Sequence, residues 1–242
     1  MVYVTKGIVL HHFNYYESSI IIKVYTELFG LQSYIIKGFK NTKSKFKKSL
    51  IQPLSIVEIV AYPNSKGDIY LLKDISIAYI AKSLYINIRK TAVVFFLDEI
   101  IYKSIKEQEP NQQLFNFIND AIIHLDNIVE KISLFNLFIT IQLSKYLGFY
   151  PEINYSERNN FFDLVDGLYK PIAPNHSLFI EPELSSVFYQ LSKSNIDNYA
   201  LMSLEYNKRT ILLKKISDYY GVHIINLNEI KSLEVLEKVF ED

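Results

Sequence analysis

The sequence predicts an α+β multidomain chain, with an N-terminal OB-like β-barrel over residues 1–80 and an all-α helical domain over residues 81–242. Two observations carry this. Near residue 80 the hydrophobic period changes from short alternating segments to a helical repeat. The charge changes sign at the same place. Residues 1–80 hold ten lysines, no arginine and five acids, a net of +5, so the remainder of this neutral chain carries −5. Halves of opposite sign point to two domains with different partners.

The strand segments follow in order. Tyr3–Phe13 reads as a first strand and Ser19–Thr26 (SIIIKVYT) as a second, with Gly30 in the turn after it. Leu31–Gly38 is a third. Leu54–Tyr62 is a fourth, ended by Pro63 and Asn64, and Asp68–Tyr79 is a fifth with partial alternation. Five strands with one long basic connection suit a small closed barrel. An OB-like barrel is the economical choice, and an SH3-like barrel fits almost as well.

Beyond residue 80, apolar positions from Leu84 to Ile105 predict a long helix ending before Pro110. A second runs over Leu114–Leu125, with Asn111 as its cap. Ile132–Leu147 is apolar on most of its circumference and reads as a buried central helix stopped by Gly148 and Pro151. Residues 150–180 hold three prolines and a candidate hairpin, FFDLVDGLYKP. Short helices are expected over Glu183–Ser194 and Arg209–Tyr220, and a last one capped by Ser232 and running through Phe240.

Composition narrows the chemistry. With 49% hydrophobic and 21% charged residues the chain is globular rather than disordered. It has no cysteine, which excludes disulfides, cysteine-ligated zinc, iron–sulfur clusters and thiol catalysis. No signal peptide is expected: the opening MVYVTKGIVLHHF has a charge within its apolar stretch and no small-residue cleavage site. Leu134–Leu143, the densest apolar run, is interrupted by Asn136, Thr140 and Gln142, so no membrane span and a soluble intracellular protein are expected. Arginine appears only three times, and Ile, Asn, Lys, Tyr and Phe are heavily used. A biased genome produces such a composition, so abundant lysine or tyrosine is weak evidence of function by itself.

The strongest local feature is the segment Lys37–Lys48. Its six lysines (Lys37, Lys40, Lys43, Lys45, Lys47 and Lys48) come with no acid, and Phe39 and Phe46 stand among them. Lysines neutralise phosphates and release counterions, and six such contacts give a log–log salt slope of roughly −4 to −5. The two rings are candidates for stacking on unpaired bases. The competing reading is a solvated loop whose lysines serve solubility alone. A second basic group, Lys208, Arg209, Lys214 and Lys215, lies around Leu212, Leu213 and Ile216. It frames a groove for an acidic peptide, or is simply the polar face of an amphipathic helix.

No catalytic set stands out. His11 and His12 are adjacent in a strand and point to opposite faces. Asp98 and Glu99 are neighbours on a helix and face different ways. Asp163, Asp166 and Gly167 resemble part of a calcium loop but lack its other acidic positions and read as a turn. No Walker loop, G-x-G-x-x-G or G-x-S-x-G occurs. No metal and no cofactor are expected, and the protein is read as a non-enzyme. The rival functions are an RNA-binding OB module and a metal-dependent nuclease with scattered carboxylates.

Four stretches together resemble a known family. The first is T-K-G-I-V-L (Thr5–Leu10) followed by Tyr15, Glu17 and Ser18. The second is Tyr25, Thr26, Gly30 and Leu31, leading to Lys37, Gly38 and Lys40. The third is Leu50, Pro53 and Leu54. The last is N-K-R-x-x-L-x-x-x-x-x-x-Y-Y-x-x-H (Asn207–His223) with K-S-L-E-V-L-x-x-V-F (Lys231–Phe240). In this order they resemble the RecO family of DNA repair and recombination mediators. The resemblance implies an OB-fold and a helical domain. It also implies binding of single- and double-stranded DNA, annealing of complementary strands, and work with RecR to help RecA displace single-stranded DNA-binding protein, at the nucleoid in a bacterial cytoplasm. The family's basic barrel residues correspond to Lys37, Lys40 and the lysines after them. The acidic tail of single-stranded DNA-binding protein is assigned to Lys208, Arg209, Lys214 and Lys215. Many family members carry a four-cysteine zinc module after the central helix. This chain has no cysteine there, so residues of about 150–180 are a degenerate version held by hairpin pairing and packing.

Overall fold

A computed structural model describes residues 2–41, 44, 46–63, 68–106, 108–224 and 230–241. They form two compact units, one of residues 1–86 with 97–126 and the other of residues 87–96 with 127–242.

The first unit is built on five strands: β1 (Tyr3–Tyr15), β2 (Ser19–Thr26), β3 (Gly30–Ile36), β4 (Ile56–Ala61) and β5 (Ile69–Ile77). They close in the order β1-β2-β3-β5-β4, with β3 and β5 parallel and β1 returning to β4. This is the OB-like order, and it settles the choice between the two barrels. The long β1 serves both neighbours. Gly7 pairs with Val57 of β4 and Thr26 of β2, and a register shift between Val9 and His11 turns the strand from one partner to the other.

Ile20, Ile22 and Val24 of β2 point into the barrel beside Val9, Tyr34, Ile36, Val57, Ile59 and Ile75. The other face of β2 is buried too. The Tyr25 ring lies 6.3 Å from that of Phe115 on helix α2 (Gln112–Asn127), and its hydroxyl donates to the Asn111 carbonyl at 3.4 Å. Burial on both faces explains why Ile20, Ile21 and Ile22 follow one another in SIIIKVYT. Gly30 is held with φ +64°, and a Cβ there would meet the Glu109 carbonyl oxygen at 2.4 Å, so the β2–β3 turn accepts only glycine.

Asp126, at the end of α2, is 3% exposed and clasps the chain leaving the barrel. Its carboxylate accepts from the backbone N–H groups of Lys82, Ser83 and Leu84 at 2.7–3.1 Å, and from the hydroxyls of Tyr79 and Ser83. Residues 82–84 are thereby held in a turn. Helix α1 (Ile88–Ser104) starts later than the expected Leu84, because Asn87 Oδ1 caps the amides of Arg89 and Lys90.

The second unit centres on α3 (Ile132–Tyr146), buried on nearly every side as its composition predicts. Buried Thr140 bonds its hydroxyl to the Asn136 carbonyl, and its own carbonyl accepts from Tyr220 at 2.6 Å. Gly148, at φ +85°, follows the helix end. The expected hairpin is present as β6 (Phe161–Asp163) and β7 (Leu168–Lys170), joined by a two-residue β8 (Phe179–Ile180) too short to show in a hydrophobic pattern. Helices α4 (Pro182–Lys193), α5 (Tyr206–His223) and α6 (Ser232–Val239) complete it. Lys231, not Ser232, occupies the cap position of α6. Among the described residues no helix is long and apolar enough to cross a membrane.

The small sheet is pinned by Asp163, 1% exposed. Its carboxylate accepts from Lys170 Nζ at 2.7 Å and from the amides of Val165 and Asp166, with His176 Nε2 at 3.4 Å. Burial alone would raise this carboxyl, but Lys170 and the two amides outweigh it and hold the group below the usual carboxylate range. The stabilisation is present above that range and is lost as pH falls through the lowered value. Asp163→Ala is expected to cost about 2–4 kcal/mol and to remove the hydrogen-exchange protection of Val165 and Asp166, because both amides lose their acceptor and Lys170 is left with Asp166 alone.

Candidate nucleic-acid interface

The Lys37–Lys48 connection leaves β3 and is anchored to the barrel at both ends. Phe39, 9% exposed, and Ile51, 4% exposed, both belong to the barrel core, and Phe46 and Leu50 pack against it. Between these anchors the backbone bonds to itself. Asn41 N–H donates to the Gly38 carbonyl, Ser44 N–H to the Asn41 carbonyl and Leu50 N–H to the Lys47 carbonyl. Gly38, at φ +67°, allows the first of these turns. Lys40 N–H donates to the Ser18 carbonyl at 3.1 Å, which ties the segment to the β1–β2 turn.

Apolar anchors turned inward leave the lysines outward. Lys37, Lys40, Lys47 and Lys48 are exposed, and none has a side-chain partner among the described residues. Lys43 and Lys45 lie outside the described residues. The stacking expected of Phe39 is corrected: its ring fills the barrel end and presents no open face to a base. Phe46 is half-buried against the same cluster.

The second basic group is distributed differently. At 100° per residue α5 sends its four cations in three directions. Lys208 pairs with Glu183 at 2.6 Å and Lys214 with Glu237 at 3.6 Å. Arg209 donates to the Leu204 carbonyl at 3.0 Å and lies over the Tyr206 ring. Lys215 donates to the Ser177 carbonyl at 3.3 Å and lies over Phe179. Arg209 also borders a groove lined by Asn136, Leu137, Leu213, Leu236 and Phe240.

The acidic candidates separate as well. Glu99 pairs with Lys103 on its own helix at 2.7 Å. Asp98 turns inward, where its Oδ1 is buried without a partner. Burial first, and then neighbouring Glu99, raise its carboxyl well above the ordinary range, against a smaller lowering by the Leu54 amide. Ionising it costs stability, and that cost grows as pH rises from the unfolded value toward the folded one. Asp98→Asn is therefore expected to raise the unfolding midpoint at neutral pH, with the gain vanishing at about pH 4, the unfolded carboxylate value. Among the described residues no group of three His, Asp or Glu side chains is placed to hold a metal ion. The rings of His11 and His12 lie 6.4 Å apart, and His11 stacks on Tyr102 of α1 with ring centroids 4.9 Å apart. Burial lowers its imidazole below the usual value, with the proximity of His12 acting in the same direction.

An OB-like barrel carrying a lysine segment whose described lysines have no side-chain partner among the described residues, continued by a helical region, defines the class of this protein. Its relatives specify it further. Residues 1–81 match the family described as recombination protein O N terminal, and residues 87–233 match recombination protein O C terminal. The DNA repair protein RecO of Flavobacterium psychrophilum is 38% identical over 237 residues, 98% of each chain. Those of Azobacteroides pseudotrichonymphae and Phocaeicola vulgatus are 34% and 30% identical, over the whole and 98% of both chains respectively. The chain belongs to the RecO family of DNA repair proteins.

Proposed function

We propose that this protein is a non-enzymatic recombination mediator that binds single- and double-stranded DNA through the lysine segment after β3 and anneals complementary strands. The observation that supports it most is the set Lys37, Lys40, Lys47 and Lys48, exposed, unpaired among the described residues and anchored to the barrel by Phe39 and Ile51. Annealing brings two polyanions together, and fixed cations screen their repulsion without any bond chemistry. Lys43 and Lys45 belong to the same proposed surface.

In this reading the protein works with RecR to help RecA take single-stranded DNA from its coating protein, at the bacterial nucleoid. The acidic tail of single-stranded DNA-binding protein docks around Lys208, Arg209, Lys214 and Lys215. Arg209 beside the apolar groove is the best placed of these, since the groove offers an apolar side chain a seat next to a cation. The test is the annealing rate of complementary labelled strands with wild type and with Lys37, Lys40, Lys47 and Lys48 all replaced by Ala. Loss of acceleration in the variant supports the reading. Equal rates, or magnesium-dependent cleavage of the strands by wild type, contradict it.

A further inference from the structure

The burial of Phe39 removes one expected stacking ring, and the structure offers others. The last third of β1 runs past the barrel into the β1–β2 hairpin, and His11, His12, Phe13 and Tyr16 are all exposed there. Phe13 is 40% exposed and Tyr16 is 80% exposed. Alternation along the strand puts His11, Phe13 and Tyr15 on one face. The rings form a row: Tyr102 and His11 are stacked at 4.9 Å, His11 and Phe13 are 6.4 Å apart, and Tyr15 and Tyr16 meet edge to face at 4.4 Å.

Tyr16 carries a further signal. Its backbone has φ +52°, a conformation that glycine adopts freely and a tyrosine adopts at a cost. A large apolar ring kept four-fifths exposed on a strained backbone contributes little to the fold.

The row lies beside the lysines. Tyr15 pairs with Ser19, and Ile20 pairs with Ile36. Lys37 follows directly on Ile36, the last residue of β3, as Ser19 precedes Ile20, so the lysine segment leaves β3 at the end of β2 where the hairpin turns. The Lys40–Ser18 backbone bond fixes the neighbouring turn. Glu17 at the hairpin tip repels a phosphate there, so a strand lying across this surface keeps its phosphates over Lys37 and Lys40 and turns its bases to the hairpin.

We infer that Phe13, Tyr15 and Tyr16 form a stacking platform for unpaired bases of single-stranded DNA whose phosphates the adjoining lysines hold. This rests on the DNA-binding reading above and adds to it the part of the site that distinguishes single strands from duplex.

The probes are a labelled oligothymidylate of roughly 15 nucleotides, an abasic strand of the same length, and a duplex. The proteins are wild type, Tyr16→Gly, the double variant Phe13→Thr with Tyr16→Gly, and the lysine variant. Tyr16→Gly is expected to keep or raise the thermal midpoint, since glycine suits the backbone, and to weaken oligothymidylate binding about 5-fold or more. The double variant weakens it further, with the salt slope unchanged because no charge is lost. On the abasic strand and on duplex the ring variants bind as wild type. Wild-type affinity of the double variant for oligothymidylate overturns the inference, as does an equal loss on the abasic strand. If the lysine variant alone is impaired, the DNA-binding reading stands without the platform. If the lysine variant also binds as wild type, that reading falls as well.

Discussion

Asp126→Ala is expected to destabilise the first unit by at least about 3 kcal/mol, because it strands the amides of Lys82, Ser83 and Leu84 and the hydroxyls of Tyr79 and Ser83 in a buried place. No other described carboxylate gathers so many donors at the end of the barrel. Burial would raise its carboxyl, but the Lys82 amide, the Tyr79 hydroxyl and the Ser83 groups outweigh that and hold it at about 2. A lowered folded value means the stabilisation is complete above the unfolded carboxylate value of about 4 and is lost as pH falls from there toward 2. Hydrogen exchange reads this directly. The Lys82, Ser83 and Leu84 amides lose protection in the variant at neutral pH, and in wild type only as the solution is acidified through that window. Protection that survives Asp126→Ala would show that the turn is held by packing alone.

Replacing Lys37, Lys40, Lys47 and Lys48 by Ala is expected to weaken single-stranded DNA binding by at least about 100-fold at low salt and to abolish accelerated annealing. The four side chains are exposed and make no partners among the described residues, so their removal leaves the fold intact. Phe39 and Ile51, which hold the segment, are untouched. An unchanged thermal midpoint is therefore part of the expected result. A matching quadruple change on α5 differs in kind. Lys208 and Lys214 pair with Glu183 and Glu237, so their loss also removes two surface ion pairs.

Much of the barrel is legible because its punctuation is local. Gly30, Pro63 and the alternating apolar positions bound β2 to β5 within a residue or two of the observed ends. Asn111 caps α2 as its place predicts, with Oδ1 accepting the Leu114 amide. What escapes is decided by partners far away in the chain. Asp126 looks like one more helical acid until the turn at 82–84 is folded against it, more than forty residues upstream. Phe39, in a run of lysines, reads as a base-stacking ring because nothing local shows that it closes the barrel end. The lysines of α5 read as free because Glu183 and Glu237 belong to other helices. Phe13 and Tyr16 pass for ordinary strand and turn residues until their exposure and the positive φ of Tyr16 are known.

The most direct test of the central claim is the salt dependence of single-stranded DNA binding by wild type and by the Lys37, Lys40, Lys47, Lys48 variant. Each phosphate neutralised on a single strand adds about 0.7 to the log–log slope. A steep wild-type slope that becomes shallower by about 3 in the variant is the predicted result. Equal slopes in the two proteins would contradict it and separate whatever DNA binding this chain has from the lysine segment.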